Sequence, residues 1–403
     1  MPHYSEAAVE RAMKVQEVIL RAAAKKITWI QAAEIIGVSP RHMRRWKEKY
    51  EQYGFHALFD GRRGKASPRR VPSAMLEEVL RLYQDRYFDL NVKHFHEKLT
   101  KEHHLSVSYT WTKGVLQGAG LVKRAVGRGR HHKRRARRPL PGMLLHIDGS
   151  QHQWFGDERW HDLIVILDDA TSVIYYAQLV EEESTRTVMR AIRQVIEQEG
   201  LFCSLYSDRA SHFFLTPKAG EPVDRQSLTQ VGRALRELDI QLIPAYSPQA
   251  RGRSERSFRT WQGRLPQELR LHGISSLAEA NRFLCEHYVA EFNHQFSVAP
   301  AQTGTAFVPC TRTDLERVFS LHHERVVARD NTVSFARLGL QIERQQWRST
   351  LAGCRVLVYE HLDGTLSLGY GVHEVGRYAS DGTPIKLATS KDEVKKAVKK
   401  RAA

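Results

Sequence analysis

Three carboxylates, Asp148, Asp208 and Glu255, stand at positions in the sequence that suit metal chemistry. Asp148 interrupts the apolar run "LLHIDGS", Asp208 ends the run "LFCSLYSD", and Glu255 lies among arginines in "YSPQARGRSER". A carboxylate within an apolar strand is costly unless something pairs with it. Oxygen ligands suit Mg²⁺ or Mn²⁺, and two such ions can stabilise the attacking and leaving oxygens of a phosphoryl displacement. The pattern therefore predicts a site for two Mg²⁺ ions, in which Mn²⁺ can substitute.

Other acids, and Glu255 itself, also have simpler interpretations. A glutamate in the first turn of a helix complements the helix dipole, and neighbouring arginines add surface ion pairs. Asp168 and Asp169 in "DDATS" are interpreted first as turn residues, with support of the site as the alternative. Residues 181–183 are three glutamates that precede a helix, where the dipole again accounts for them.

The elements that must position the three acids predict an α/β domain. Five strands are indicated, at residues 144–155, 162–172, 173–180, 201–210 and 240–248. Helices are indicated at 184–200, at 225–239 and from the segment that contains Glu255. The order β-β-β-α-β-α-β-α gives a mixed five-stranded sheet with helices on both faces. The first and fourth strands can then be parallel neighbours roughly 4.8 Å apart, which would bring Asp148 and Asp208 together.

The charge of the chain indicates a polyanionic partner. Its formal net charge is +17, and the stretch "KRAVGRGRHHKRRARR" holds nine lysines and arginines without an acid. This composition cannot bury a core, so it predicts an extended linker that also lies on DNA phosphates, with a plain tether as the alternative. The linker residues predicted to contact DNA are Arg128, Arg130, Lys133, Arg134 and Arg135. Around Glu255 the same role is predicted for Arg251, Arg253, Arg256 and Arg259.

The segment "TWIQAAEIIGVSPRHMRRWKEKY" has a helix-turn-helix pattern. Gly37 breaks the first helix, and Ser39 and Pro40 are suited to begin the second. In that second helix Met43 and Trp46 share an apolar face, and a basic face opposite suits the major groove of DNA. The residues predicted to contact DNA there are Ser39, Arg41, His42, Arg44 and Arg45.

A second helical unit follows and is predicted to be a winged helix-turn-helix. In "VSYTWTKGVLQGAGLVKR", Ser108 can cap a helix whose inward residues include Trp111 and Leu116. Its outward residues, predicted to contact DNA, are Tyr109, Thr110 and Lys113. The histidines at 94, 96, 103 and 104 are interpreted as surface positions of amphipathic helices, since no CxxC pair accompanies them as in a zinc site.

The remaining bulk features indicate a cytoplasmic protein. The four cysteines lack CxxC spacing, the N-terminus has no apolar signal-peptide core, and no stretch approaches the length needed to span a bilayer. We therefore expect no membrane partner. In a bacterium such a basic protein would associate with the nucleoid.

At its acidic motifs the chain resembles DDE transposases and retroviral integrases. "HIDGS", "YSD" and "SPQARGRSER" are similar to the three acidic motifs of that family, and "FNHQFSVAPAQTGTAF" resembles integrase-core transposases of bacterial insertion sequences, in particular the ISNCY type. The resemblance covers roughly residues 20–310. It implies an RNase H-like fold, with metal-dependent DNA strand cleavage and strand transfer that need no covalent protein–DNA bond.

The C-terminal part predicts short strands. "ERVVARDNTVSFARLGLQI" and "CRVLVYEHLDGTLSLGYG" read as two hairpins, which indicate a small β-barrel. The predicted segments are a helix-turn-helix domain at 1–62, a second winged one at 63–122, a basic linker at 123–140, an RNase H-like catalytic core at 141–309, a small β-barrel domain at 310–380 and a basic tail at 381–403.

These features together predict a DNA transposase. It would bind double-stranded DNA at the ends of its own mobile element and in the target, cut with metal-activated water, and join the 3′-OH to target DNA. On DNA it would be a homo-oligomer, at least a dimer. Two alternatives remain open: a catalytically idle DNA-binding regulator, and an RNase H-like nuclease without strand transfer.

Overall fold

The computed structural model describes residues 4–60, 70–124, 136–215, 223–224, 227–246 and 248–385, without the side chains of residues 248–251. The chain divides into two compact units. The first comprises Met1–Arg86 and His104–Ala119, and the second comprises Tyr87–His103 and Gly120–Ala403. Among the helices of the described ranges, none has both the length and the apolar character needed to cross a membrane.

The first unit begins with a helix-turn-helix. Its helices are α1 (Glu6–Ala23), α2 (Trp29–Ile36) and α3 (Pro40–Tyr53), followed by a 3₁₀ turn at Phe55–Leu58. Gly37 ends α2 in the left-handed region, with a φ of 74°. Ser39 then caps α3, since its Oγ accepts a hydrogen bond from the His42 amide at 3.3 Å. The turn predicted between these two helices is confirmed.

One apolar cluster holds α1, α2 and α3 together. Met43 is fully buried, as the spacing of α3 predicts, and Trp46 packs at the edge of the same cluster. Burying such side chains stabilises each helix more than its intrinsic propensity does. The other buried members are Ala12, Val15, Val18, Ile19, Ala22, Ala32, Ala33 and Leu58.

Three further helices follow, α4 (Ser73–Asp85), α5 (Val92–Lys101) and α6 (Tyr109–Gly118). Ser108 caps α6 by accepting a hydrogen bond from the Trp111 amide at 3.2 Å. The helices α4 and α6 belong to the first unit and contact each other, whereas α5 belongs to the second. The winged domain at 63–122 and the other domain bounds stay predictions.

The second unit is built on a five-stranded sheet. Its strands are β1 (Leu145–His152), β2 (His161–Asp168), β3 (Ile174–Val180), β4 (Ser204–Ser207) and β5 (Gln241–Pro244). They lie in the order β3-β2-β1-β4-β5, with β1 antiparallel to β2 and parallel to β4. The helices α7 (Thr185–Glu199) and α8 (Gln230–Glu237) connect β3 to β4 and β4 to β5. The predicted mixed five-stranded sheet is confirmed.

Helices cover both faces of this sheet. After β5 come α9 (Pro248–Gln262), α10 (Leu265–Leu271), α11 (Leu277–Phe283), a π-helical turn at Leu284–Tyr288, and α12 (Val289–Phe296). Side chains alternate between the faces of a strand. Ile164 therefore packs with α7 and α8 on one face, and Leu163 packs with α9 to α12 on the other.

The C-terminal strands form two sheets over one core. The elements are α13 (Leu315–Val318), β6 (Leu321–Val326), β7 (Thr332–Phe335), β8 (Leu338–Gln341), β9 (Arg355–Glu360), β10 (Leu366–Tyr370) and β11 (His373–Tyr378). A four-stranded sheet has the order β11-β10-β9-β6, and β7 pairs with β8 alone. The predicted small barrel is not confirmed, because the β7–β8 hairpin packs on the larger sheet through buried side chains and the described strands form no closed sheet.

Candidate active site

The sheet brings Asp148 and Asp208 to the same level on neighbouring strands. The parallel ladder pairs Leu145 with Leu205 and His146 with Tyr206. Asp148 follows His146 by two residues, and Asp208, directly after the last residue of β4, follows Tyr206 by two residues, so both acids come just after the paired part of the two strands. Adjacent strands lie about 4.8 Å apart. The sequence prediction that these strands are parallel neighbours is therefore confirmed.

Both aspartates lie on the same face of the sheet. Alternation along each strand puts Asp148 on the side of His146, and Asp208 on the side of Tyr206. The rings of His146 and Tyr206 contact each other, with centroids 5.3 Å apart. Asp148 is buried, with 6% of its surface exposed, while Asp208 is half-buried and accepts a hydrogen bond from the Ala210 amide at 3.0 Å.

Glu255 lies on α9, the helix that packs on this face beside β1. Ser254, Phe258 and Trp261 are the buried positions of its described part, at helical spacing, and Glu255 is exposed next to them. Gln262, at the end of the helix, donates a hydrogen bond from Nε2 to Ser150 Oγ of β1 at 2.9 Å. The third predicted acid is thus on an element that directly contacts the strand of the first.

The carboxylate oxygens of Asp148 and Asp208 are the kind of ligand atom that suits a hard cation. Within the described ranges, no group of three or more histidine, cysteine, aspartate or glutamate side chains is placed to hold a metal ion. Asp148 and Asp208 nevertheless offer carboxylate oxygens at the same level, and oxygen ligands are what Mg²⁺ and Mn²⁺ prefer. The two residues therefore offer the kind of donor atom that a divalent cation prefers, and the metal role of Asp148, Asp208 and Glu255 stays a prediction.

A buried carboxylate, Asp169, connects β1 with α9. Asp169 Oδ1 lies 2.8 Å from His146 Nε2 and also accepts a hydrogen bond from Arg253 Nη1, and Oδ2 accepts one from the Arg138 amide at 2.8 Å. Burial alone would raise the pKa of Asp169, but the hydrogen bonds of His146, Arg138 and Arg253 outweigh it. The pKa is held well below its usual range, so the group is a carboxylate at neutral pH.

Asp168, its neighbour, has the turn role that the sequence predicts. Its Oδ2 accepts hydrogen bonds from the Thr171 amide at 2.8 Å and from Thr171 Oγ1 at 2.9 Å, and its Oδ1 accepts one from the Gly142 amide at 3.0 Å. The same interpretation is incomplete for Asp169, which contacts two other elements. The sequence signal was weak, since "DD" at a strand end is ordinary turn chemistry.

Glu183 also lies closer to the site than the sequence indicates. Its Oε1 lies 2.9 Å from His212 Nε2, in the segment that follows Asp208. A Cβ placed on Gly149 would come within 1.9 Å of Glu183 Oε2, so the carboxylate lies against the backbone of β1 next to Asp148. The interpretation of Glu183 as a helix-dipole residue alone is therefore incomplete.

Of the residues of the second unit that are predicted to bind DNA, only some have described side chains. Arg256 and Arg259 are exposed on α9 and are available to a phosphate backbone, whereas the Arg253 guanidinium contacts Asp169. The side chain of Arg251 lies outside the described residues, as do the linker positions Arg128, Arg130, Lys133, Arg134 and Arg135. Their contacts with DNA stay predictions.

In the first unit, the predicted basic face of α3 is exposed. Arg41, His42, Arg44 and Arg45 are all exposed, while Ser39 Oγ caps the helix. On α6, Tyr109 and Thr110 are exposed and Lys113 is half-buried. The geometry is suited to a helix in the major groove, and the individual base contacts stay predictions.

The helix α5 contacts Arg264 and α10 through ion pairs that the sequence did not indicate. Lys98 Nζ lies 2.9 Å from Glu268 Oε2, and Arg264 forms a two-nitrogen ion pair with Glu97 at 2.7 and 3.2 Å. His94 is 3% exposed and contacts Glu268 Oε1. The interpretation of His94 as a surface residue is therefore wrong, because its partner on α10 compensates for its burial.

This ion-pair network gives acid-dependent stability. Burial raises the pKa of Glu268, but His94 and Lys98 outweigh it and lower that pKa to about 2, below the ordinary 4.5. A lowered folded-state pKa adds stability above about pH 4.5 that is lost as the pH falls towards 2. Glu268→Gln should destabilise the chain by about 3–5 kcal/mol at pH 7, since it removes the carboxylate that pairs with the largely buried Lys98 ammonium.

Urea unfolding at pH 7 and at pH 3 measures this effect. The difference in the free energy of unfolding between wild type and Glu268→Gln should be smaller at pH 3 than at pH 7. Glu286→Gln is the control, since the Glu286 side chain is 56% exposed and should change stability by less than about 0.5 kcal/mol. Equal losses at both pH values would contradict the assignment.

Comparison with known proteins adds family evidence to this geometry. A family model described as a helix-turn-helix domain matches residues 16–66, which include α2 and α3. The protein y4bF of Sinorhizobium fredii (strain NBRC 101917 / NGR234), described as a transposase, is 31% identical over 369 residues, or 91% of this chain and 80% of that protein. The transposase for insertion sequence IS1202 of Streptococcus pneumoniae is 28% identical over 313 residues, or 69% of this chain and 67% of that protein.

Solved structures give weaker likenesses. A simian T-cell lymphotropic virus intasome in complex with PP2A regulatory subunit B56 gamma covers 73% of this chain and 99% of its own, at 12% identity and a TM-score of 0.31. The HTLV-2 integrase catalytic core domain in complex with magnesium, in its dimeric form, covers 37% of this chain and 90% of its own, at 16% identity and a TM-score of 0.28. At TM-scores this low, the likenesses support no conclusion about this chain.

Proposed function

This chain belongs to the insertion-sequence transposases, and from that membership we propose that it binds the ends of its mobile element, cleaves DNA strands there and joins the freed 3′-OH to target DNA. The observation that supports the chemistry is the register of β1 and β4. Asp148 and Asp208 each follow a paired residue of these parallel strands by two positions, and α9, the helix of Glu255, contacts β1.

In this proposal Asp148, Asp208 and Glu255 hold two Mg²⁺ ions, for which Mn²⁺ can substitute. When bound, such ions activate a water and stabilise the charge on the attacking and leaving oxygens. Asp148 and Asp208 are positioned by strands of the central sheet, so their carboxylates are preorganised. Glu255 is on the exposed border of α9, where it completes the ligand set when DNA is bound.

Two displacements at phosphorus make up the proposed reaction. In the first, a water oxygen attacks the phosphorus at the element end, the P–O3′ bond breaks, and the product is a 3′-OH with a 5′-phosphate. In the second, that 3′-OH attacks a phosphodiester of the target, and one target strand leaves with its own 3′-OH. The joining step conserves the number of phosphodiester bonds, so it needs no external energy source.

The proposed DNA contacts are distributed along the chain. The exposed basic face of α3 and the outward residues of α6 would read the element end, and Arg256 and Arg259 would hold phosphates beside the site. Joining two element ends to one target requires an active site for each end. The proposal therefore includes a homo-oligomer of at least two chains on DNA.

A joining assay tests this function directly. A labelled duplex that already ends in the element's 3′-OH is incubated with the chain, Mg²⁺ and a supercoiled plasmid. A transposase yields label covalently joined to the plasmid. Hydrolysis of uncut ends without joined product would indicate a nuclease instead, and neither product with intact end binding would indicate an idle DNA-binding regulator.

The predicted DNA contacts of the basic linker can be measured by salt dependence. Each phosphate neutralised on duplex DNA contributes a slope of about −0.9 to log K against log salt. Glutamine at the linker residues Arg128, Arg130, Lys133, Arg134 and Arg135 should reduce the slope by up to about 4.5, if each binds one phosphate. Filter binding between 50 and 200 mM salt, roughly the range over which such contacts are lost, measures it.

This variant keeps the length of the linker. It also keeps Arg137 and Arg138, which contact the Asp168–Ser172 turn. An unchanged slope would show that the linker is only a tether.

A further inference from the structure

The Asp169 side chain contacts one residue close to Asp148 and one residue close to Glu255, two of the predicted catalytic acids. His146 precedes Asp148 by two residues on β1, and Arg253 precedes Glu255 by two residues on α9. Both side chains contact the same oxygen, Asp169 Oδ1. One carboxylate therefore connects the strand of the first acid with the helix of the third.

The three side chains that make these contacts are largely buried. The side chains of Asp169 and His146 are each 1% exposed, and that of Arg253 is 16% exposed. Asp169 Oδ2 accepts a hydrogen bond from the Arg138 amide, and the neighbouring Arg137 donates to the Asp169 carbonyl oxygen at 3.0 Å. A buried carboxylate with these partners cannot turn away without leaving a charge unpaired, which is costly.

The turn itself does not require Asp169. Its closure uses Asp168, which accepts hydrogen bonds from Thr171 and Gly142, while Asp169 Oδ1 and Oδ2 are directed to β1, α9 and the end of the linker. The two neighbouring aspartates therefore have separate roles. Asp168 shapes the turn, and Asp169 contacts β1 and α9.

We infer that Asp169 is a positioning residue, which through His146 and Arg253 holds α9, the helix of Glu255, against β1, the strand of Asp148. This inference rests on the proposed function. Partners that orient metal ligands without touching the ion typically alter metal affinity or activity by 10–100-fold when they are replaced. Asp169→Asn keeps the size of the side chain and removes the charge that Arg253 and His146 contact.

The test compares Asp169→Asn with Asp168→Asn in two measurements on the full chain. Mn²⁺ affinity is measured by calorimetry on the complex with pre-cleaved end DNA, and backbone hydrogen exchange is measured for α9 without metal. Asp169→Asn should weaken Mn²⁺ binding by about 10–100-fold and speed exchange in α9. Asp168→Asn should lower thermal stability and leave both quantities unchanged.

A second variant, Arg253→Gln, controls for misfolding caused by the substitution at the buried Asp169. It removes the same contact from the more exposed side and should weaken Mn²⁺ binding to the same extent. The double variant Asp169→Asn/Arg253→Gln should bind Mn²⁺ no more weakly than either single variant. Equal Mn²⁺ affinity in wild type and Arg253→Gln, or equal effects of the two aspartate variants, would overturn the inference.

The hydrogen-exchange measurement separates this inference from the proposed function. A wild-type chain that joins no DNA ends would contradict the proposed function. Unchanged exchange in α9 of Asp169→Asn would overturn the positioning role on its own, whatever the reaction.

Discussion

Replacing Glu255 with glutamine is expected to abolish strand cleavage and joining while end binding persists. Glutamine keeps the size of the side chain but removes an anionic oxygen from the proposed ligand set. Metal ions supply several kcal/mol of transition-state stabilisation, which corresponds to a loss on the order of a thousandfold or more in rate. Asp148→Asn and Asp208→Asn should lose as much, and a double variant should lose little more, because the ligands act as a unit.

End binding measured on the same preparations is the control for this result. Gel-shift affinity should stay within about twofold, since the helix-turn-helix of the first unit is unchanged, and a factor of two is under 0.5 kcal/mol. Arg259→Gln is the matched variant on α9. It should weaken DNA binding and retain the reaction at saturating DNA. Full activity of Glu255→Gln would return Glu255 to the simpler interpretation of a surface glutamate beside arginines.

Replacing Trp261 with alanine is expected to have the largest effect on stability. Trp261 is fully buried, and its ring stacks on Phe292 with centroids 4.4 Å apart. Removing a buried tryptophan leaves a cavity and costs about 3–5 kcal/mol. Because Trp261 anchors α9 to the cluster that holds α10 to α12, the second unit should unfold at a lower temperature.

Trp160 provides the matched tryptophan control. It lies in the connection between β1 and β2 and is 57% exposed, so Trp160→Ala should change the unfolding free energy by less than about 0.5 kcal/mol. Differential scanning calorimetry of the two variants measures the contrast. Similar melting temperatures for both would contradict the packing of α9 on the sheet.

The central sheet could be predicted from the sequence because its signals are local. Apolar runs of strand length alternate with amphipathic helices, and the connection rules leave few arrangements for that order. The parallel pairing of β1 and β4, which carry or precede Asp148 and Asp208, followed from that order. The capped start of α3 was equally readable, since Ser39 and Pro40 are adjacent in the sequence.

The features that could not be predicted depend on contacts between residues far apart in the chain. His94 meets Glu268 across 174 positions, and nothing in an amphipathic helix distinguishes that histidine from exposed ones. The role of Asp169 depends on Arg253, 84 residues away. The hairpin of β7 and β8 shows the same limit, because strand signals predict strands but not whether two sheets close into a barrel.

Counting the Mn²⁺ ions bound by the complex with pre-cleaved end DNA tests directly whether the three acids form a two-metal site. Electron paramagnetic resonance counts the bound Mn²⁺ ions in wild type and in Asp208→Asn at equal occupancy of the DNA. The difference between the two proteins gives the ions that depend on Asp208. We expect two such ions per active chain in wild type and a lower number or a weaker affinity in the variant, as a two-metal site requires. Identical Mn²⁺ binding by the two proteins would contradict it.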